Sequence, residues 1–180
     1  MSIGAGIVLN AVLFQCVWFA TVAGAGYGLW WTGLPVLLVF ALWQLRTSRW
    51  PRADLQLVLC AVVLGFIVDS VLAAGGWLRY ATPWPSQLFA PVWIVVLWAG
   101  FALTVNHSMA FLKGRVWLAV LFGAIGGPLA YFGAARLFDA VQFDASSQMP
   151  TVLLAVGWAL ATPLLMALAT RLVARETVLA

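Results

Sequence analysis

Leu55-Gln56-Leu57-Val58-Leu59-Cys60-Ala61-Val62-Val63-Leu64-Gly65-Phe66-Ile67-Val68-Asp69-Ser70-Val71-Leu72-Ala73-Ala74-Gly75-Gly76-Trp77 carries a single charge, Asp69, in an otherwise apolar run. A hydrocarbon core of about 30 Å needs about 20 helical residues to cross it, and this run supplies them. A carboxylate held at that depth costs about 2.5–3.5 kcal/mol on insertion scales, so Asp69 marks a site or a partner.

The rest of the chain has the same character. It is 65% hydrophobic and 8% charged, where a soluble domain carries about 25% charged residues. Five further apolar stretches lie at Ile3–Ala25, Leu29–Leu45, Leu88–Asn106, Val116–Leu137 and Thr151–Thr170. None alternates like a barrel strand, and lipid tolerates only closed hydrogen bonding, so helices are required. The expectation is an all-α bundle of six spans in one transmembrane domain covering residues 1–180.

Arg46, Arg49, Arg52, Lys113, Arg115, Arg171 and Arg175 fall on one side of such a bundle, and Arg79 and Arg136 on the other. Short loops retain basic residues on the cytoplasmic side, which places both termini there, in a bacterial inner membrane. The net charge of +4 then reflects topology, and nucleic acid is not an expected partner. The first span lacks a charged leader region and holds Asn10, Gln15 and Trp18, so it reads as a helix and not a signal peptide. Cys16 and Cys60 differ in depth by roughly 12 Å at 1.5 Å per residue, too far to bridge, and two free thiols are expected.

Gly24, Gly26 and Gly28 are expected to break the first pair of spans. Ala119, Gly123 and Gly127 recur every four residues, a small-residue stripe for close helix packing, and Pro128 and Pro163 open the possibility of kinks near mid-membrane. Asp54 reads as a helix-starting acid at the positive end of the dipole. No internal repeat is visible, which leaves an inverted-repeat transporter unsupported.

One histidine and five acids provide no multi-histidine zinc site or two-metal carboxylate cluster, and no cofactor is expected. Phosphate-loop, serine-elbow and zinc-protease motifs are missing from the sequence. What remains is a layer of polar and aromatic residues. Gln15, Trp18, Asp69 and Tyr131 fall roughly 18–22 Å above the cytoplasmic boundary, and Trp93 and Trp158 reach the same layer from the outer side. The functional reading is an outer-half cavity in which these residues, with Arg136, bind a ligand around Asp69. The structural alternative has Asp69 hydrogen-bonded to Gln15, Ser70 or Tyr131, or paired with Arg136 or Arg79, holding helices together.

At the opposite face, Asn106-His107-Ser108 lies near Lys113 and Arg115. His107 is either a general base beside a phosphate-holding pair or an interfacial residue capping a helix end. Asn10 joins it or bonds between helices. Most of the eleven tryptophans sit at interfaces, and only Trp18, Trp93, Trp98 and Trp158 are deep.

Asn10, Gln15 and Trp18, Asp69 with Gly75-Gly76, Pro91-Val92-Trp93, Leu97-Trp98, His107-Ser108 and Gly123-Ala124-Ile125-Gly126-Gly127-Pro128-Leu129-Ala130-Tyr131 resemble a family of small bacterial inner-membrane proteins, domain-of-unknown-function family 2878. That resemblance implies localisation and a lipid-linked role, but no activity. Trp84-Pro85 through Phe89-Ala90-Pro91-Val92-Trp93 resembles the tryptophan-rich sensory or translocator proteins, which bind porphyrins and sterols. The architecture is also similar to the substrate-binding subunits of energy-coupling-factor vitamin transporters.

Three roles follow as expectations. The first is a membrane protein binding an apolar or amphipathic, lipid-related small molecule around Asp69. The second is a lipid-modifying enzyme with His107 as base, and the third a transporter in which Asp69 titrates. The bilayer is the expected partner, with a second membrane protein or a second copy of the chain as a further one.

Overall fold

A computed structural model describes residues 3–179, with the side chains of Ile3 and Leu179 outside the description. Six helices follow in order: α1 Ile3–Gly26, α2 Gly33–Thr47, α3 Pro51–Ala74, α4 Val92–Val105, α5 Val116–Phe138 and α6 Met149–Leu179. Of these, α1, α3, α5 and α6 are long and apolar enough to cross a membrane. At 15 and 14 residues, α2 and α4 are shorter.

Burial explains how a helix as short as α4 belongs in such a bundle. Eleven of its residues, among them Trp93, Trp98, Phe101 and Leu103, are buried, and α1, α2, α3 and α6 all pack on it. A helix apolar all round is buried, and here the surrounding helices take the place of lipid.

Helix α3 shows how the same apolar alphabet serves two solvents. Leu57, Ala61, Gly65 and Asp69 are buried, while Leu55, Leu59, Val63, Ile67 and Val71 on the other face are each at least half exposed. A water-facing helix would carry charges there, so this face is built for hydrocarbon.

Helix ends depart from the sequence reading where the chain can satisfy its backbone in other ways. The stretch from Leu88 to Pro91 lies outside α4: the Ala90 amide bonds Ser70 Oγ at 2.9 Å, the Val92 amide bonds the Trp84 carbonyl, and Pro91 restrains the residue before it. Helix α3 stops at Ala74, and Gly76 turns the chain with φ of 72°. The chain then forms a short strand, β1 Leu78–Tyr80, antiparallel to β2 Val141–Phe143. This ribbon joins the α3–α4 and α5–α6 connections. Gly24 lies inside α1, and Gly26 is its last residue, so the break between the first two helices begins there. A Cβ on Gly26 would come within 2.0 Å of the Phe138 carbonyl, and the turn itself falls at Gly28 with φ of 84°.

The small-residue stripe packs as expected. Ala119, Gly123 and Gly127 are buried on α5, and a Cβ on Gly123 would lie 2.1 Å from the Trp158 carbonyl of α6. Both α5 and α6 run on as helices through Pro128 and Pro163.

Candidate functional site

Four helices meet in the middle of the bundle through a stack of two indoles. Trp98 of α4 and Trp158 of α6 lie face to face, centroids 4.3 Å apart and planes 11° from parallel. Each outer face rests on a glycine. A Cβ on Gly65 of α3 would sit 2.1 Å from Trp98 Cγ, and one on Gly127 of α5 would sit 2.3 Å from Trp158 Cγ. Gly65, Trp98, Trp158 and Gly127 thus form one continuous sandwich, closed on the Trp158 edge by Phe101 at 5.2 Å and 89°.

Asp69 holds the rim of this stack. Its carboxylate is fully buried and accepts hydrogen bonds from Trp98 Nε1 and the Tyr80 hydroxyl, both at 2.7 Å, and from the Tyr131 hydroxyl. The donors come from α4, β1 and α5, so one side chain ties α3 to three other elements. A buried charge persists only where such bonds satisfy it. Of the expected partners, Tyr131 engages Asp69, whereas Ser70 serves the Ala90 amide. Arg136 and Arg79 are exposed, and the ion pair found among the described residues is His107–Asp54. Tyr80 escaped the sequence reading because it lies in what looked like a loop.

Beside the stack opens a cavity of about 370 Å³ between α1, α4, α5 and α6, within the range of about 300–1,000 Å³ that small-molecule sites occupy. Gln15, Trp18, Trp93, Tyr131 and Trp158 line it, as the layer of similar depth suggested. Asp69 and Arg136 do not: the carboxylate lies behind the wall, bonded to two of its rings, and Arg136 is exposed on the last turn of α5. None of the lining side chains is charged. Leu129 and Phe122, which line the cavity, are 61% and 43% exposed, and Gln15 is exposed too. The opening therefore lies between α1 and α5, beside the exposed apolar side chains of Leu129 and Phe122. Two buried donors in the lining, Trp158 Nε1 and Thr162 Oγ1, have no hydrogen-bond partner among the described residues.

A second polar cluster closes the opposite end. Asp54 of α3 is fully buried and accepts hydrogen bonds from Ser48 Oγ at 2.5 Å and Asn106 Nδ2 at 2.6 Å, while His107 Nε2 lies 2.9 Å away. Lys113 donates to Asn106 Oδ1, and burial lowers the pKa of its ammonium, with the Asp54 charge opposing. Asn10 of α1 donates to Gln44 Oε1 at 2.6 Å and to the Leu103 carbonyl at 3.0 Å, and accepts from Ser108 Oγ at 2.5 Å. Glu176 of α6 caps α3 through the Ala53 amide at 2.7 Å. Asp54 does more than start a helix: it orients His107. Arg115 is exposed.

No curated protein and no solved structure matches this chain. A family model described as a protein of unknown function, DUF2878, matches residues 7–164, a stretch that includes Asp69, its three donors and the whole cavity lining. The chain belongs to that family.

Proposed function

We propose that this protein crosses a bacterial inner membrane with all six helices, both termini cytoplasmic, and binds an apolar or amphipathic small molecule in the cavity between α1 and α5. The observation that carries the reading is an uncharged, indole-walled cavity whose mouth is flanked by the exposed apolar side chains of Leu129 and Phe122, where lipid-borne molecules arrive without crossing water. The topology is supported by Glu176 meeting the start of α3 and Lys113 meeting the end of α4. These contacts gather the basic loops at one end of the bundle, as retained cytoplasmic charge requires.

Gly126 offers the test. It lines the cavity, and a Cβ there meets nothing nearer than Phe122 at 3.7 Å, so Gly126→Leu fills the cavity without disturbing a backbone. Small molecules and lipids co-purifying with wild type and with this variant are compared by mass spectrometry. A species held by wild type and lost from a folded Gly126→Leu protein is the expected result. Equal retention of every species rejects the cavity as a binding site.

A second reading rests on the carboxylate 2.9 Å from His107 Nε2. That pairing fixes the ring's orientation, as a general base acting on lipid head groups requires. Under this reading His107→Ala changes the lipid profile of cells expressing the protein while leaving it folded. An unchanged profile removes the enzyme's only base.

A further inference from the structure

We propose that the occupant of the cavity carries an uncharged group that both gives and accepts a hydrogen bond, a hydroxyl in its simplest form, and that this group pairs with the Gln15 amide at the mouth. The proposal rests on the cavity reading above and adds the chemistry of the ligand. Helix α1 holds two side-chain amides, and they differ. Asn10 is buried with both ends in use: Nδ2 donates to Gln44 Oε1 and the Leu103 carbonyl, and Oδ1 accepts from Ser108 Oγ. Gln15 is exposed, lines the cavity and makes no hydrogen bond among the described residues. It stands near the middle of the 24-residue α1, about 16–18 Å from either end at 1.5 Å per residue, far beyond the reach of an extended glutamine toward interfacial water. Hydrocarbon gives such an amide no partner, so a ligand that brings one is favoured there.

The mouth forms at Gln15 because α1 and α5 close beyond it. Toward the ribbon the two helices touch: a Cβ on Gly26 would come within 2.0 Å of the Phe138 carbonyl, and the rings of Trp18 and Phe19 each meet Phe138 edge-on, centroids 6.4 Å apart. Gln15, one turn from Trp18, is the next residue of α1 to line the cavity. Apart from the indole N–H of Trp18, the other polar side-chain groups of the lining are spent or sealed. Trp98 Nε1 and the Tyr131 hydroxyl serve Asp69, Trp93 Nε1 donates to the Ala81 carbonyl at 2.9 Å, and Trp158 Nε1 and Thr162 Oγ1 are buried within the wall. An amide donates from Nε2 and accepts at Oε1, so a ligand ether or ketone would leave Oε1 unpaired, whereas a hydroxyl engages both sides. A phosphate, carboxylate or ammonium would bring a charge to mid-membrane beside a lining that holds no charged side chain. The apolar part of the molecule enters the cavity, against Trp93 and Trp158.

The full chain in detergent micelles is titrated with 11-bromoundecan-1-ol and with its methyl ether, which accepts a hydrogen bond but cannot donate one. The readout is quenching of tryptophan fluorescence by the terminal bromine. Both probes are expected to quench wild type saturably, the alcohol with a roughly fivefold lower half-saturation, the value of one net hydrogen bond. Gln15→Met keeps the length of the side chain at an exposed position and removes both hydrogen-bonding ends, so alcohol and ether should then bind alike. Gly126→Leu should lose saturable quenching by both probes. An alcohol that binds wild type no better than the ether, or a preference that survives Gln15→Met, overturns the pairing with Gln15 and leaves the cavity reading standing. If neither probe quenches wild type saturably, or Gly126→Leu quenches as wild type does, the cavity reading falls and the pairing with it.

Discussion

Three donors converge on the Asp69 carboxylate from three separate elements, and through them the acid sets the tilt of Trp98 and Tyr131. Asp69→Asn keeps the volume but turns an acceptor-only group into one with an N–H that must face a donor. The expected loss is about 1–3 kcal/mol, read as a lower melting temperature of the purified protein. Tyr80→Phe removes one donor and leaves two, so its cost should be smaller, about 1 kcal/mol. An Asp69→Asn protein as stable as wild type would show that the carboxylate does not hold the wall. Depth counting placed Asp69 beside Tyr131 and Trp158, and that proximity was legible because rise per residue is constant along a helix. Which way the carboxylate faced was not legible, because small helix rotations decide between cavity and wall.

At the level of elements, glycine divides into two kinds. Gly65 and Gly127 carry indoles flat on their backbones, whereas Gly126, the residue before Gly127, faces open space apart from Phe122. Alanine raises helix propensity over glycine by about 1 kcal/mol in water-based scales, so propensity alone predicts stabilisation at all three positions. Packing reverses the sign at two of them. Gly65→Ala and Gly127→Ala should lower the unfolding temperature and split the Trp98–Trp158 stack, visible in near-ultraviolet circular dichroism, while Gly126→Ala should be neutral or stabilising. Comparable behaviour of all three variants would contradict the sandwich. The four-residue period of Ala119, Gly123 and Gly127 announced close packing on α5. Gly65, with Ala73 and Gly76 on the Asp69 face of α3, also read as a surface that another helix can approach closely, but that the indole of Trp98 is what lies on it depends on α4 and is not encoded in any spacing within α3.

For the whole molecule, the Asp54 cluster and the Asp69 cluster sit at opposite ends of α3 and bind the bundle at two levels. The topology proposed above makes a direct prediction. In a background with Cys16→Ser and Cys60→Ser, cysteines introduced at the exposed positions Arg49 and Ser146 should label from opposite sides of the membrane. In intact cells a membrane-impermeant maleimide should reach Ser146→Cys alone, and in inverted vesicles Arg49→Cys alone. Labelling of both from one side rejects the six-span arrangement. Composition and hydropathy determined the bilayer as solvent and the number of helices, because an apolar run long enough to span can satisfy its own backbone only as a helix. Periodicity within a helix determined which residues share a depth or a face. Only the tertiary structure decided that Tyr80 reaches Asp69 from a three-residue strand, and that Ser48, Asn106 and His107 meet at Asp54. Those pairings join residues far apart in the chain, and the energy that selects them arises only when the helices close on one another and exclude both water and lipid.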